Sequence, residues 1–289
     1  MKIIILGASG FLGIHLLEKL LEEQFQVKVL VHDTPINLET DSFHGDVLDP
    51  NLLDNVIDDN DVVINLVGQM DKLSKFVDNN IVASINILNS CIKKKGIKIF
   101  LASSIAVYGN NSLTTSSEDD TPHPTKTYGL VKFITENIHE HYSNSFGLDI
   151  TILRFATLYG PCKKSGFIVE LINSIKDGKV NTVFNNGNQL RDLLFIDDAV
   201  IGIIQAIKKS QKGFNIFNIS SGNKISLIQI ISILEKLSQK KLHINLTSNV
   251  NDEQYLLADN SKANRILDFS PKTNIEKGFS ITLKSFQII

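Results

Sequence analysis

The chain has 289 residues, 43% of them hydrophobic, and a formal net charge of -2. That length suits one α/β body with a smaller appended region, and the hydrophobic share is ample for a sizeable core. Near-neutrality argues against nucleic acid or an anionic membrane as partner, and no apolar run approaches the roughly 18 residues that span a bilayer.

Residues 2–6 (KIIIL) form a short continuous apolar run, which predicts a strand covered on both faces. No basic segment with a cleavable apolar core precedes it, so cytoplasm is the expected compartment. Leu12, Leu16 and Leu20, beside Leu17 and Leu21, then repeat at helical spacing, with Lys19, Glu22 and Glu23 outward. Strands follow at Val27–Val31 and Val62–Val67, a helix near 80–94, and a strand at Ile97–Ala102. The run Lys93 to Lys95 reads as a solvated helix end before Gly96. A helix from about Thr127 to Tyr142 precedes a strand at Ile150–Phe155. Such alternation predicts a doubly wound parallel sheet with helices on both faces.

After about residue 158 the rhythm loosens. Residues 163–165 read as a loop and Phe167–Ile175 as a helix. Asp197 or Asp198 is a candidate cap for a helix to Lys208, Ser226 for one to about Ser238, and Asn274 for a last one. Phe214–Ile219 and Leu242–Leu246 read as strands. The expected division is a dinucleotide-binding domain at 1–158 and a smaller mixed α/β region at 159–289, some of whose elements return to the first sheet. Cys91 and Cys162 fit neither a metal cluster nor a disulfide framework and are expected to be reduced thiols; no metal is expected.

Between the first strand and first helix lie residues 7–13 (GASGFLG). Gly7 permits a positive φ at the turn, Gly10 lets backbone approach a pyrophosphate, and Gly13 allows helix to pack on strand. The amides of Ser9, Phe11 and Leu12 then face the phosphates at a helix N-terminus. In that strand–turn–helix context the pattern predicts dinucleotide binding. Asp33, just after the second strand, can bind the adenosine ribose, although it can equally be a turn former before Pro35. No arginine precedes Arg154, so the usual clamp for a 2′-phosphate is missing and NAD is favoured over NADP; His32 or a lysine remains an alternative clamp. Asp46, beside Val47, can accept from the adenine amino group or simply cap its loop.

Tyr128 and Lys132 stand four residues apart on a predicted helix and share one face. A nearby ammonium favours a phenolate, so Lys132 is expected to lower the Tyr128 pKa and make it a proton acceptor for a substrate hydroxyl. Ser104, at the end of a predicted parallel strand, lies where such sheets present their ligand crevice and can hold the reacting oxygen.

With these residues the chain resembles the extended short-chain dehydrogenase/reductases, specifically the NAD-dependent epimerase/dehydratase branch. The resemblance spans essentially the whole chain. Besides residues 7–13 it includes GDVLDP at 45–50, NNIVASINIL at 79–88, LASSIAVYG at 101–109 and YGLVK at 128–132. It continues with LRFATLYGP at 153–161, RDLLFIDDAV at 191–200 and ADNSKANRIL at 258–267. The resemblance implies a Rossmann-type sheet and a catalytic triad of Ser104, Tyr128 and Lys132, with Lys132 also gripping the nicotinamide ribose. It places Asn80 next to the active site, makes the second region a nucleotide-sugar site, and implies homodimers packed through the tyrosine helix.

Departures from the family pattern narrow the chemistry. Members that dehydrate sugars carry an acidic pair where this chain has Ile105 and Ala106. Decarboxylating members have a glutamate, and 3,5-epimerase/reductases a cysteine, in place of Ala106. What remains is redox chemistry at one carbon, C4: a 4-epimerase is preferred, with a NAD(P)H-dependent 4-ketoreductase as the alternative. A non-catalytic dinucleotide sensor or assembly subunit is the reading from another class. Thr157 replaces an asparagine that contacts the sugar nucleotide in many relatives. Residues 249–252, ending in Asp252, stand where many epimerases have an Arg-x-x-Asp grip. Arg191 is therefore the candidate for the diphosphate, its alternative being a structural network with Asp192, Asp197 or Asp198. Arg154 is expected to pair with a buried acid, and His123 to be a loop residue.

Overall fold

The computed structural model describes residues 2–68, 76–110, 115–209, 211–248 and 255–289. Its first half lays down β1 (Ile3–Leu6), β2 (Val27–Val31), β3 (Asp41–His44), β4 (Val62–Asn65), β5 (Lys98–Ser104) and β6 (Asp149–Phe155). The helices between them are α1 (Phe11–Glu22), α2 (Pro50–Val56), α3 (Ala83–Cys91) and α4 (Thr127–Phe146). The second half adds β7 (Thr157–Tyr159), α5 (Phe167–Asp177), β8 (Asn181–Val183), β9 (Leu190–Arg191), β10 (Leu193–Phe195), α6 (Ile196–Lys209) and β11 (Phe214–Ile219). It ends with β12 (Ile225–Ser226), α7 (Leu227–Ser238), β13 (Ile244–Leu246), β14 (Tyr255–Leu256), α8 (Ser261–Leu267) and α9 (Ile275–Ser285).

One seven-stranded sheet, ordered β11-β6-β5-β4-β1-β2-β3, carries the fold, and every neighbouring pair in it is parallel. All four residues of β1 are buried because helices cover both faces. Alternate side chains point to opposite sides: Ile3, Ile5, Phe100 and Leu153 pack with α1, α6 and α8, while Ile4, Ile99 and Ile150 pack with α2 and α3. The strand order reverses between β1 and β4, and open α/β sheets bind ligands at such a switch point, beyond the carboxyl ends of the strands.

A third apolar cluster, including Tyr159, Ile172, Phe195, Ile230 and Phe279, joins α5, α7 and α9 over short strands. Part of the second half does return to the main sheet: β11 pairs with β6 from Phe214 to Ile219, and α6 and α8 cover one of its faces. The residues around 158 lie inside β7, which pairs with β10.

Several local expectations need correction. The strand expected at Val62–Val67 ends at Asn65. The helix starting at Ile196 takes Asp197 and Asp198 into its first turn, so neither precedes it as a cap. Asp198 instead accepts the backbone N–H groups of Lys272 (2.9 Å) and Thr273 (3.0 Å), tying down the loop before α9. Lys93 and Lys94 are not merely solvated: they donate to the Asp54 carboxylate at 2.6 Å and its carbonyl at 3.0 Å, linking α3 to α2. By contrast, Ser226 and Gln229 form a reciprocal capping box on α7, and Asn274 caps α9 by accepting from Lys277 at 2.8 Å. No described helix is long and apolar enough to cross a membrane. Both cysteines are free thiols, Cys91 buried and Cys162 exposed.

Candidate active site

The turn after β1 is built by its glycines. Gly7 has φ +91°, and a Cβ there would meet the Leu66 and Val67 backbone at 3.0–3.1 Å. A Cβ on Gly13 would overlap the Gly7 carbonyl and press Ala8 Cα at 2.7 Å, so α1 can lie directly on the loop. Gly10 differs: its Cβ position, 3.2 Å from the Gly7 oxygen, has no other neighbour within 4 Å among the described residues. Gly10 N-caps α1 with no side chain, and the first turn carries no acid. The N–H groups there therefore remain open to an anion from outside. Ser9 and Gly10 are exposed, and Phe11 and Leu12 half-buried. This cradle, which any side chain at Gly10 would begin to fill, fits a dinucleotide pyrophosphate.

Two carboxylates stand at the edge of the crevice beyond β2. The His32 ring lies between them, Nδ1 3.0 Å from Asp33 and Nε2 3.4 Å from Asp46. The Asp33 side chain is 84% exposed and can reach a ribose. One oxygen of Asp46 accepts from Leu48 N at 2.9 Å, which is the loop-capping role, while the other faces His32. Val47 is buried. His32 is thus held by acids, which makes it a poor clamp for an added phosphate.

At the carboxyl end of β5, Ser104 Oγ caps a short turn, Ile105–Tyr108, by accepting from Ala106 N at 3.2 Å. The Tyr128 hydroxyl faces Ser104. Gly129 permits this approach, since a Cβ there would overlap the Ala106 carbonyl. Lys132 is buried and donates from Nζ to the Ala102 carbonyl at 2.9 Å. Asn80 lies in a π-helical turn (Asp78–Val82) and donates to Phe76 O at 2.8 Å. Its Oδ1 and Lys132 Nζ converge on Gly68, each 3.2 Å from where a Cβ would stand. Such π-turns are frequent at functional sites.

The electrostatics depart from the sequence expectation. Burial pushes the Tyr128 phenol up, with the neighbouring Ser104 hydroxyl opposing. Lys132 does not lower it, because the ammonium is turned onto the Ala102 carbonyl. Burial also draws Lys132 down, to about 8, with the Glu136 carboxylate opposing.

Arg191 lies half-buried in β9 and donates to its own Leu190 carbonyl at 2.9 Å. Thr157 is half-buried in β7, where its N–H donates to Asp192 O at 3.1 Å. Asp192 turns its carboxylate elsewhere, accepting from Ser221 N (2.8 Å), Ser221 Oγ (2.7 Å) and Gly222 N (3.2 Å). Burial nonetheless raises it to about 6. Asp252 lies outside the described residues. No group of metal-ligating side chains occurs among the described residues.

Sequence reasoning did not find the buried cluster behind the site. Arg154 does pair with a buried acid, Glu136, at 2.7 Å. Ser103, Tyr108 and Asn218 complete that cluster. The one visible signal was Glu136 four residues beyond Lys132, on the face already carrying Tyr128.

A family model described as the NAD-dependent epimerase/dehydratase family matches residues 3–220. The UDP-glucose epimerase YtcB of Bacillus subtilis, itself described as uncharacterized, is 29% identical over 97% of this chain and 96% of its own length. The UDP-glucuronate 4-epimerase of Thermodesulfobacterium geofontis is 34% identical over 72% of this chain and 65% of its own. Among solved structures, the UDP-glucuronic acid 4-epimerase of Bacillus cereus, in complex with UDP-glucuronic acid and NAD, superposes with a TM-score of 0.88 at 30% identity. That likeness covers 99% of each chain. By sequence, fold and the placement of its site, the chain belongs to the NAD-dependent epimerase/dehydratase family.

Proposed function

We propose that this protein is an NAD-dependent nucleotide-sugar 4-epimerase acting on a UDP-linked hexose or hexuronic acid, the substrates in the names of its relatives. The observation that carries the reading is the Tyr128–Ser104 pair at the end of β5, with the non-titratable Ile105 and Ala106 beside it. One proton-exchanging tyrosine suffices for oxidation and reduction at one carbon; expelling water needs a further acid.

Ser104 holds the C4 oxygen while Tyr128 takes its proton and later returns it. Lys132, kept charged by Glu136, grips the nicotinamide ribose. Bound at the 7–13 cradle, with Asp33 on the ribose, NAD supplies a reversible hydride acceptor for C4. Asn80, Thr157 and Arg191 line the sugar-nucleotide side, and Arg191 meets the diphosphate. The cluster around α5, α7 and α9 is the nucleotide-sugar region.

The outer face of α4 supports a homodimer: Leu130 and Ile134 are 46% and 38% exposed, beside an apolar cleft of about 590 Å³ lined also by Ile85, Phe133 and Tyr142. Two unpaired cysteines suit a reducing cytoplasm.

The test supplies UDP-glucose and UDP-glucuronic acid without added cofactor and follows C4 configuration by NMR. Interconversion is expected. Turnover only of a 4-keto sugar, with stoichiometric NAD(P)H consumption, would establish a reductase. NAD binding without any turnover would make the chain a sensor.

A further inference from the structure

Tyr128, Lys132 and Glu136 stand at successive four-residue steps on one face of α4. They meet three consecutive residues of β5. Tyr128 faces Ser104, Lys132 donates to the Ala102 carbonyl at 2.9 Å, and Ser103 Oγ donates to Glu136 Oε1. The third contact is secured from behind. Arg154, opposite Ser103 in the β5–β6 register, donates Nε to both Glu136 oxygens (3.1 and 3.2 Å) and Nη2 to Oε2 at 2.7 Å. Its Nη1 donates to the Tyr108 hydroxyl at 2.8 Å, which in turn donates to Asn218 on β11 at 2.8 Å. Ser103, Glu136, Arg154, Tyr108 and Asn218 are each 4% exposed or less.

We infer that the Glu136–Arg154 pair is the positioning device of this active site, fixing the register of α4 against the end of β5 and so seating Tyr128 on Ser104. The inference rests on the chemistry proposed above for Tyr128 and Lys132. Stability alone is a weak account of the pair, because a buried ion pair stabilises little more than well-packed apolar residues; fixing a register is its best-attested use. A one-residue slip of α4 moves its side chains by about 1.5 Å along the axis, and a misplacement of about 1 Å can cost 10²-fold in rate. Glu136 also opposes the effect of burial on Lys132. Among the described residues, the other groups placed near that ammonium are His139 on its own helix, Asn80 from the π-turn and, behind Glu136, Arg154.

The test uses three variants of the full chain, assayed for C4 interconversion. Ser103→Ala removes one contact and leaves the ion pair intact, with Oε1 still accepting from Arg154, so it keeps its fold. A roughly fivefold lower kcat is expected, with KM and NAD affinity unchanged, as for one lost hydrogen bond. Glu136→Gln should lower kcat further and move the alkaline limb of the pH–rate profile to lower pH, because Lys132 then loses its supporting charge. Glu136→Asp, which keeps the charge, should restore the position of that limb. Wild-type kcat in folded Ser103→Ala, or an unmoved limb in folded Glu136→Gln, would overturn the inference. If Glu136→Gln does not fold, Ser103→Ala decides alone. Tyr128→Phe runs in parallel: if it stays active, the catalytic assignment fails instead.

Discussion

The Tyr128 hydroxyl faces Ser104, twenty-four positions earlier, and this contact joins the first turn of α4 to the last residue of β5. Removing it tests the catalytic assignment directly. Tyr128→Phe should keep NAD affinity, since the ring stays, and lower turnover by about 10²-fold or more, the low end for lost acid–base catalysis. Single-turnover rates with UDP-glucose, read beside an NAD titration, check both halves. Turnover near wild type would remove Tyr128 from the mechanism.

NAD(H) should bind more tightly than NADP(H). A 2′-phosphate at the adenosine ribose would lie near Asp33 and Asp46, and the His32 ring between them already faces both. Fluorescence titration with the two reduced cofactors gives the order. Asp33→Asn should narrow the gap, and a preference for NADP(H) in the wild type would contradict the reading.

Arg191→Ala should weaken UDP-sugar binding by about tenfold or more, as for a lost charge-assisted hydrogen bond of roughly 1.5–3 kcal/mol, while leaving NAD affinity unchanged. Calorimetry with each ligand separately is the measurement. Equal loss of both, or a large drop in melting temperature, would assign Arg191 to the scaffold.

His139 should make the protein acid-sensitive. It is fully buried on α4, its Nδ1–H donates to Thr135 O at 2.8 Å, and Nε2 has no partner among the described residues. Burial lowers it from 6.5 to about 4. The unfolded chain therefore binds a proton that the folded chain does not across that window. Stability present above pH 6.5 is lost as the pH falls towards 4, on the order of 3 kcal/mol. Asp192 works the other way: burial raises it from 3.8 to about 6, so its contribution is lost as pH rises through that range. Comparing His139→Gln with wild type cancels the Asp192 effect. Urea denaturation from pH 4 to 7 should show wild type gaining stability relative to the variant as the pH rises; parallel profiles would refute the assignment.

Much of this fold is written locally. The turn at 7–13 announces itself because only glycine tolerates the φ of Gly7 and the contact at Gly13. The four-residue spacing of Tyr128 and Lys132 puts them on one helix face wherever α4 packs. The caps at Ser226 and Asn274 act within three residues of themselves. In the first half of the chain, two elements escaped that reading. β3 is an edge strand whose residues are mostly exposed, so it lacks the apolar alternation that marks a strand. α2 has its signals, Asp49 as cap and Pro50 at its first position, but at seven residues it is too short for a helical period to stand out.

By itself, then, the sequence determined the strand–turn–helix cradle, the parallel alternation and the shared face of Tyr128 and Lys132, since each depends on backbone geometry over a few neighbouring residues. Only the tertiary structure decided what those groups experience. Burial pushes Tyr128 up, against the expectation from its spacing to Lys132, and draws Lys132 down. Asp198 anchors a loop 74 residues away, and Glu136 finds Arg154 on another strand. The reason is physical: desolvation and hydrogen-bond partnership arise when distant segments exclude water from one another, and no local pattern encodes which segments will meet.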